Sequence, residues 1–227
     1  MAALALAAPV RAAWAPPASD ELLGALARQG QAPQSLRFSR TRTTPERSPL
    51  PPDRITPLGS VWKMFAYFYL SETGRELPPY SCRGKSAEEV FCCKPGGSIG
   101  MEEALAKSCG LFFSPKRLGL GPGEWGRFWK ERMGLPYPWL ADLDRLSNAE
   151  APVSELLGAL QAIRARGPAF DRLYAALAGV LVEGTARASV GKLGSSFRVK
   201  TFTLADPAEP GGFVGGFAGW LPDGSAV

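Results

Sequence analysis

Residues 55–70, "ITPLGSVWKMFAYFYL", set a serine and a lysine three positions apart, Ser60 and Lys63, in an otherwise apolar, aromatic run. The run reads as the start of a helix, where positions i and i+3 share a face. The Lys63 amine then lies over the Ser60 hydroxyl while Val61, Met64, Phe65 and Phe68 pack into a core. That is one way to build an activated nucleophile. A plainer alternative makes Ser60 an N-cap and lets Lys63 snorkel out of an amphipathic helix. The same spacing recurs in "SVGK" at Ser189 and Lys192, so the pattern alone does not decide between them.

Composition narrows the choice. A chain of 227 residues that is 45% hydrophobic is long enough to bury a sizeable core in one domain with an appendage. It contains no histidine, which excludes Ser-His-Asp triads, Cys-His pairs and His-ligated metal sites. Acid–base chemistry falls to Lys, Asp, Glu, Tyr or Cys, and a Ser–Lys pair gains interest accordingly. The net charge of +5 sits largely in the first 54 residues, where "RFSRTRTTPERSPLPPDR" is polar and Pro-rich. Such a segment reads as a loosely ordered approach to the main domain, and with few interleaved aromatics it predicts no nucleic-acid partner.

The four cysteines, Cys82, Cys92, Cys93 and Cys109, contain no C-x-x-C spacing, so zinc and thioredoxin-like redox chemistry fit poorly. No metal and no cofactor are expected. An even number clustered this closely suits disulfides and therefore an oxidising compartment; four buried thiols are the alternative. A vicinal Cys92–Cys93 bridge would be strained, so each is expected to reach Cys82 or Cys109, which leaves two connectivities open. The N-terminal "MAALALAAPVRAAWAPPASD" is apolar and Ala-rich and ends in an A-x-A signal at Ala13–Ala15, like a secretory leader without its basic region. No other segment reaches the roughly 18 to 20 apolar residues that span a bilayer. The expectation is a periplasmic or secreted protein without a membrane span, divided into a leader at 1–15, a basic Pro-containing segment at 16–54 and one domain at 55–227.

Along the chain, "SDELLGALARQG" predicts a short helix, and the Ser60–Lys63 helix follows the basic stretch. Loops surround the first three cysteines. A further helix is predicted for "SIGMEEALAKSCGLFF", starting at Ser98, with Glu102 and Glu103 in its first turns. Residues 115–188 read as mostly helical, with Trp125, Trp129 and Trp139 in the core. "SSFRVKTFTL" alternates as a strand, "ADPAEPGG" is a turn, and "FVGGFAGWL" is a second strand.

Taken in order, "GSVWK" (59–63), "ALAKSCGLFF" (104–113), "VKTFT" (199–203) and "GGFAGW" (215–220) resemble the motifs of the penicillin-binding serine transferases, including the serine β-lactamases. The paired Cys-Cys and the "KTFT" strand also resemble an uncharacterised group of predicted secreted bacterial proteins. The resemblance spans about residues 55–221, and its elements are separated by 48 and 92 residues. It implies an α/β fold, an antiparallel sheet flanked by helices, with the site between sheet and helical part. A further strand beyond "GGFAGWLPDG" would be expected, so the sheet edge reads as open, and either marginal stability or completion by sequence absent here is expected.

The resemblance also implies roles. Ser60 would be acylated, Lys63 would take its proton, and Ser108 would pass protons to the leaving group. Lys200 and Thr201 would bind a substrate carboxylate, and the backbone N–H groups of Ser60 and Thr203 would form an oxyanion hole. Two positions depart from the pattern. Gly110 stands where an amide side chain would hold substrate, and Phe202 replaces the glycine of K-T-G, so that its ring is expected to push the strand from the nucleophile or fill the cleft. "KLG" at Lys192–Gly194 is a weaker alternative for the lysine motif. Glu150 and Glu183 are the carboxylates considered for deacylation. The implied partner is a peptidoglycan peptide or other cell-envelope amide; the counter-hypothesis is a non-catalytic envelope scaffold on the same fold.

Overall fold

The structure is a computed structural model. It describes the backbone of residues 34–37 and 46–49, and residues 53–121, 123–187, 196–205, 213–222, 224 and 226–227. The leader-like stretch, the helix expected in 19–30, Ser189, Lys192, the "KLG" alternative and most of the turn expected in 205–212 lie outside these residues.

The basic N-terminal segment, read as loosely ordered, carries a short antiparallel pair, β1 (Gln34–Arg37) with β2 (Glu46–Pro49). A backbone ladder needs no apolar side chains, so the polar composition did not signal it. Strand β3 (Ile55–Pro57) then pairs antiparallel with β6 (Glu150–Pro152), a strand inside the region read as helical. The Leu58 N–H continues this fastening by donating to Ala149 O at 2.9 Å.

A 3-10 turn, Gly59–Val61, leads directly into helix α1 (Trp62–Thr73). Every residue of α1 from Trp62 to Ser71 is buried, so this helix is the axis of the core and not an amphipathic surface element. Its aromatic side chains meet others edge to face: Phe65 and Trp129 at 5.5 Å, Tyr69 and Phe128 at 4.7 Å between ring centroids. The helix stops at Gly74, whose left-handed φ of 65° lets its N–H bond back to Leu70 O. Trp125 and Trp129 are core residues as expected, whereas Trp139 is partly buried and donates its Nε1–H to Glu155 at 2.8 Å.

Strand β4 (Tyr80–Ser81) pairs with β5 (Ser98–Ile99), so Ser98 lies in a ladder where the sequence predicts a helix start. Extended Gly100, at ψ 178°, separates that strand from helix α2 (Met101–Lys107). Short helices α3 (Pro115–Leu118) and α4 (Glu124–Arg127) follow, and α4 continues as a π-helix over Phe128–Arg132. The long helices α5 (Val153–Arg164) and α6 (Pro168–Val182) complete the helical part, with α6 packed on both α1 and α2.

Strand β7 (Arg198–Ala205) pairs antiparallel with β8 (Phe213–Trp220), in a register that sets Lys200 opposite Ala218 and Phe202 opposite Gly216. Strand β7 packs against the 59–61 turn and α6. Val227 exchanges two backbone hydrogen bonds with Gly219, at 2.8 and 2.9 Å, so the return stretch after the hairpin is engaged with β8. The protein is mixed α/β, with antiparallel strands set against helices, as the sequence predicts. Among the described residues no helix is long and apolar enough to cross a membrane.

Candidate active site

Three chain segments converge on one amine. Lys63 lies one residue into α1 and is only 6% exposed; its Nζ donates to Ser60 Oγ at 3.0 Å and to Ser108 Oγ at 3.2 Å. The plainer alternative for this pair does not hold: neither the 59–61 turn nor α1 has a side-chain cap, and Lys63 does not snorkel. Burial lowers the Lys63 pKa to about 8, against a smaller opposing influence from the Glu88 carboxylate. An amine tuned this way gives up and regains a proton near neutrality.

Ser108 caps the C-terminus of α2 in the left-handed region, at φ 66° and ψ 34°, and is the sole non-glycine residue with positive φ among those described. A serine without Asn-like local bonding is strained there. The conformation turns its hydroxyl to Lys63. The next residue, Cys109, is tied to Cys92, while Cys82 is tied to Cys93, which selects one of the two connectivities left open by the sequence. Adjacent cysteines thus fasten one loop at both of its ends.

Lys200 is wholly buried on β7. Its Nζ donates to Thr185 Oγ1 at 3.2 Å and to Thr201 O at 3.0 Å, and the Thr185 and Thr201 hydroxyls bond each other. Burial first, and the charge of Lys63 second, lower its pKa to about 7. The two lysines are therefore electrostatic neighbours, although Lys200 donates to neither Ser60 nor Ser108. Thr203 is exposed on β7 opposite Gly215.

Phe202 does not occupy the strand at the expense of close packing. A Cβ on Gly59 would lie 2.9 Å from Phe202 Cβ, and one on Gly216 would lie 2.7 Å from Phe202 Cε1. Gly59, at φ +43°, and the cross-strand Gly216 leave the space that the ring fills. The strand motif alone shows the missing glycine; Gly59 and Gly216, which make room for the ring, lie outside it.

Gly110 follows the Cys109 bridge and borders the amine directly. A Cβ there would lie 3.6 Å from Lys63 Cε and 3.9 Å from Glu88 Oε2. Glu88 and Thr185 were both missed from sequence, and the carboxylate whose charge acts on Lys63 is Glu88, neither Glu150 nor Glu183. Glu150 pairs with Pro57 in the β3–β6 ladder, and Glu183 lines a groove with Tyr67, Glu102 and Arg172. Glu88 carried one available signal: it lies four residues before Cys92, whose bridge leads to the neighbour of Ser108. No set of three potential metal ligands occurs among the described residues.

Comparison with known proteins matches residues 84–208 to the family described as "Predicted secreted protein (DUF2300)". The uncharacterised protein YfaQ of Escherichia coli (strain K12) is 37% identical over 211 residues, which cover 92% of this chain and 37% of that protein. The chain thus spans well under half the length of that curated relative. Among solved structures, an ancestral class A β-lactamase is similar at 17% identity with a TM-score of 0.49, over 91% of this chain and 87% of that one. A last-common-ancestor class A β-lactamase of Gram-negative bacteria is similar at 17% identity and TM-score 0.47, over 92% and 87%.

Proposed function

This chain belongs to the DUF2300 family of predicted secreted proteins, and we propose that it is an exported serine acyltransferase or hydrolase acting on a D-alanyl peptide or related amide. The single observation that carries the proposal is the buried Lys63 amine donating to both Ser60 Oγ and Ser108 Oγ, at 3.0 and 3.2 Å. The two disulfides fit an oxidising destination.

In the proposed reaction neutral Lys63 takes the Ser60 proton as Oγ bonds to the substrate carbonyl carbon. The oxyanion that forms faces the backbone N–H groups of Ser60 and Thr203. As the carbonyl–nitrogen bond breaks, the proton passes from Lys63 through the Ser108 hydroxyl to the departing amine, leaving acyl-Ser60. Water or an acceptor amine then takes the acyl group and returns the proton. Lys200, when protonated, holds a substrate carboxylate, with Thr201 beside it. The rival reading, an envelope scaffold without turnover, draws support from Gly110, which brings no amide to the site.

The test is covalent capture. Full-length protein is incubated with a reporter β-lactam and with an activated D-alanyl ester, and peptide mass spectrometry locates the adduct. An adduct on the peptide containing "GSVWK" is expected. Several reagents giving no adduct, while peptidoglycan fragments still bind, would replace the enzyme by the scaffold.

A further inference from the structure

Two adjacent carboxylates on one short 3-10 turn, Ala87–Phe91, are used in different ways. Glu89 is buried and fully engaged: it accepts from Tyr80 Oη at 2.8 Å, from the Arg83 N–H at 3.1 Å and from the Lys85 N–H at 3.1 Å. It holds the loop together. Glu88 is exposed, and among the described residues its carboxylate has no hydrogen-bond partner. Its backbone N–H is capped by Ser86 Oγ, and the Cys92–Cys109 bridge anchors the end of the turn beside Ser108 and Gly110. A built turn therefore sets a carboxylate that makes no hydrogen bond among the described residues, and whose charge reaches Lys63, beside Gly110, where the resemblance to the penicillin-binding serine transferases would place a substrate-holding amide.

The geometry points to Glu88 as a specificity-determining residue that receives a protonated amine on the acyl side of the substrate, so that the preferred acyl donor is an aminoacyl ester or amide with a free α-ammonium. This rests on the acyl-Ser60 proposal and names its substrate class. A side-chain amide at position 110 would offer an N–H donor to a substrate carbonyl. Gly110 offers nothing, and the oxygen 3.9 Å from where its Cβ would stand is a carboxylate, which only accepts. An N-acylated substrate would turn a carbonyl acceptor toward another acceptor, whereas an ammonium would gain a charge-assisted bond.

Two probes that differ only at the amine separate these cases: a D-alanyl thioester with a free amine and its N-acetyl counterpart. Wild-type protein should acylate Ser60 about tenfold or more faster with the free amine. Glu88→Gln should bring that ratio close to unity, and Glu88→Lys should invert it. A change in Lys63 reactivity alone would scale both probes together and leave the ratio unmoved. Equal rates in the wild type, or a preference that survives Glu88→Gln, would overturn the inference.

Binding provides a second arm that is independent of chemistry. Calorimetry of the Ser60→Ala protein with D-alanyl-D-alanine and with its N-acetyl form should show the same preference, and Glu88→Gln should remove it. If neither thioester labels Ser60 while this preference holds, the acyl-enzyme proposal falls and the recognition role stands. Equal affinities for the two dipeptides would instead sink the recognition role.

Discussion

Lys63 and Lys200 are both buried amines with depressed pKa values, yet their surroundings differ. Lys63 donates to two side-chain hydroxyls on separate segments, Ser60 and Ser108. Lys200 donates to one threonine hydroxyl and to the backbone carbonyl of its own neighbour, Thr201. The Glu88 charge partly restores the proton on Lys63, whereas the Lys63 charge further discourages one on Lys200. Losing the Lys63 proton leaves a base with two exchangeable hydroxyls in reach. Losing the Lys200 proton removes a positive charge, and the hydroxyl in its reach, Thr185, bonds to Thr201 and not to Ser60 or Ser108. Under the proposed function, the difference suits the first lysine to proton transfer and the second to anion binding.

The largest effect expected concerns Ser60 and Lys63. Ser60→Ala should eliminate the covalent adduct altogether, and Lys63→Met should slow adduct formation about a thousandfold, read by intact-mass time courses. Lys200→Met should acylate with an uncharged ester at close to the wild-type rate and lose its advantage for a carboxylate-bearing one. Equal losses at both lysines with both esters would collapse the distinction.

A pH profile sharpens it. Because the base must be neutral, acylation by an uncharged ester should climb as pH rises and level off above about 8, the pKa of Lys63. At pH 6 the rate should lie about a hundredfold below that plateau. A profile that is flat from pH 6 to 9 would remove Lys63 as the base.

Stability provides the next measurement. A lysine with a lowered folded-state pKa binds fewer protons folded than unfolded between the two values. Its cost is therefore full below the folded pKa and fades as pH rises toward the unfolded one. For Lys200 the interval runs from about 7 to 10.5. Lys200→Met should stabilise the protein by about 2 kcal/mol at pH 6, and the gain should shrink by pH 10 in paired denaturant titrations. A destabilised variant at pH 6 would show that the buried ammonium is compensated by its two oxygen partners, Thr185 Oγ1 and Thr201 O.

The smallest effect tests what spaces the 59–61 turn from strand β7. Gly59→Ala brings a Cβ to 2.9 Å of Phe202 Cβ at a positive φ, and should cost about 1 to 2 kcal/mol. Phe202→Gly should also destabilise, since it leaves Gly59 and Gly216 facing an unfilled gap. Unchanged stability in both variants would mean that the ring contributes nothing to the spacing.

Much of the site was legible because its chemistry is encoded locally. Ser60 and Lys63 are one helical turn apart, and the alternation around Lys200 marks a strand. The long-range partners were less accessible. Thr185 reaches Lys200 only because the stretch after α6 bonds to Ala106 O through its N–H, at 3.3 Å. Glu88 depends on which cysteine Cys109 chooses. The β3–β6 pair consists of three residues on each side, including a proline on each, which no periodicity announces. Ser98 was misassigned because a serine ahead of an acidic turn reads as a cap, although Gly100 intervenes in an extended conformation.

The left-handed Ser108 has a consequence for how this chain can change over generations. Glycine at that position would relieve the backbone at once, and asparagine would be tolerated there more readily than serine. A lineage selected only to keep its fold would find both substitutions downhill and would have no reason to stay where it is. In a large mutational library sorted for folding alone, glycine at 108 should be enriched over serine, and a second sort for acyl capture should reverse the ranking. Under the proposed function, position 108 would separate, by the residue it retains, descendants that have kept the chemistry from those that have kept only the shape.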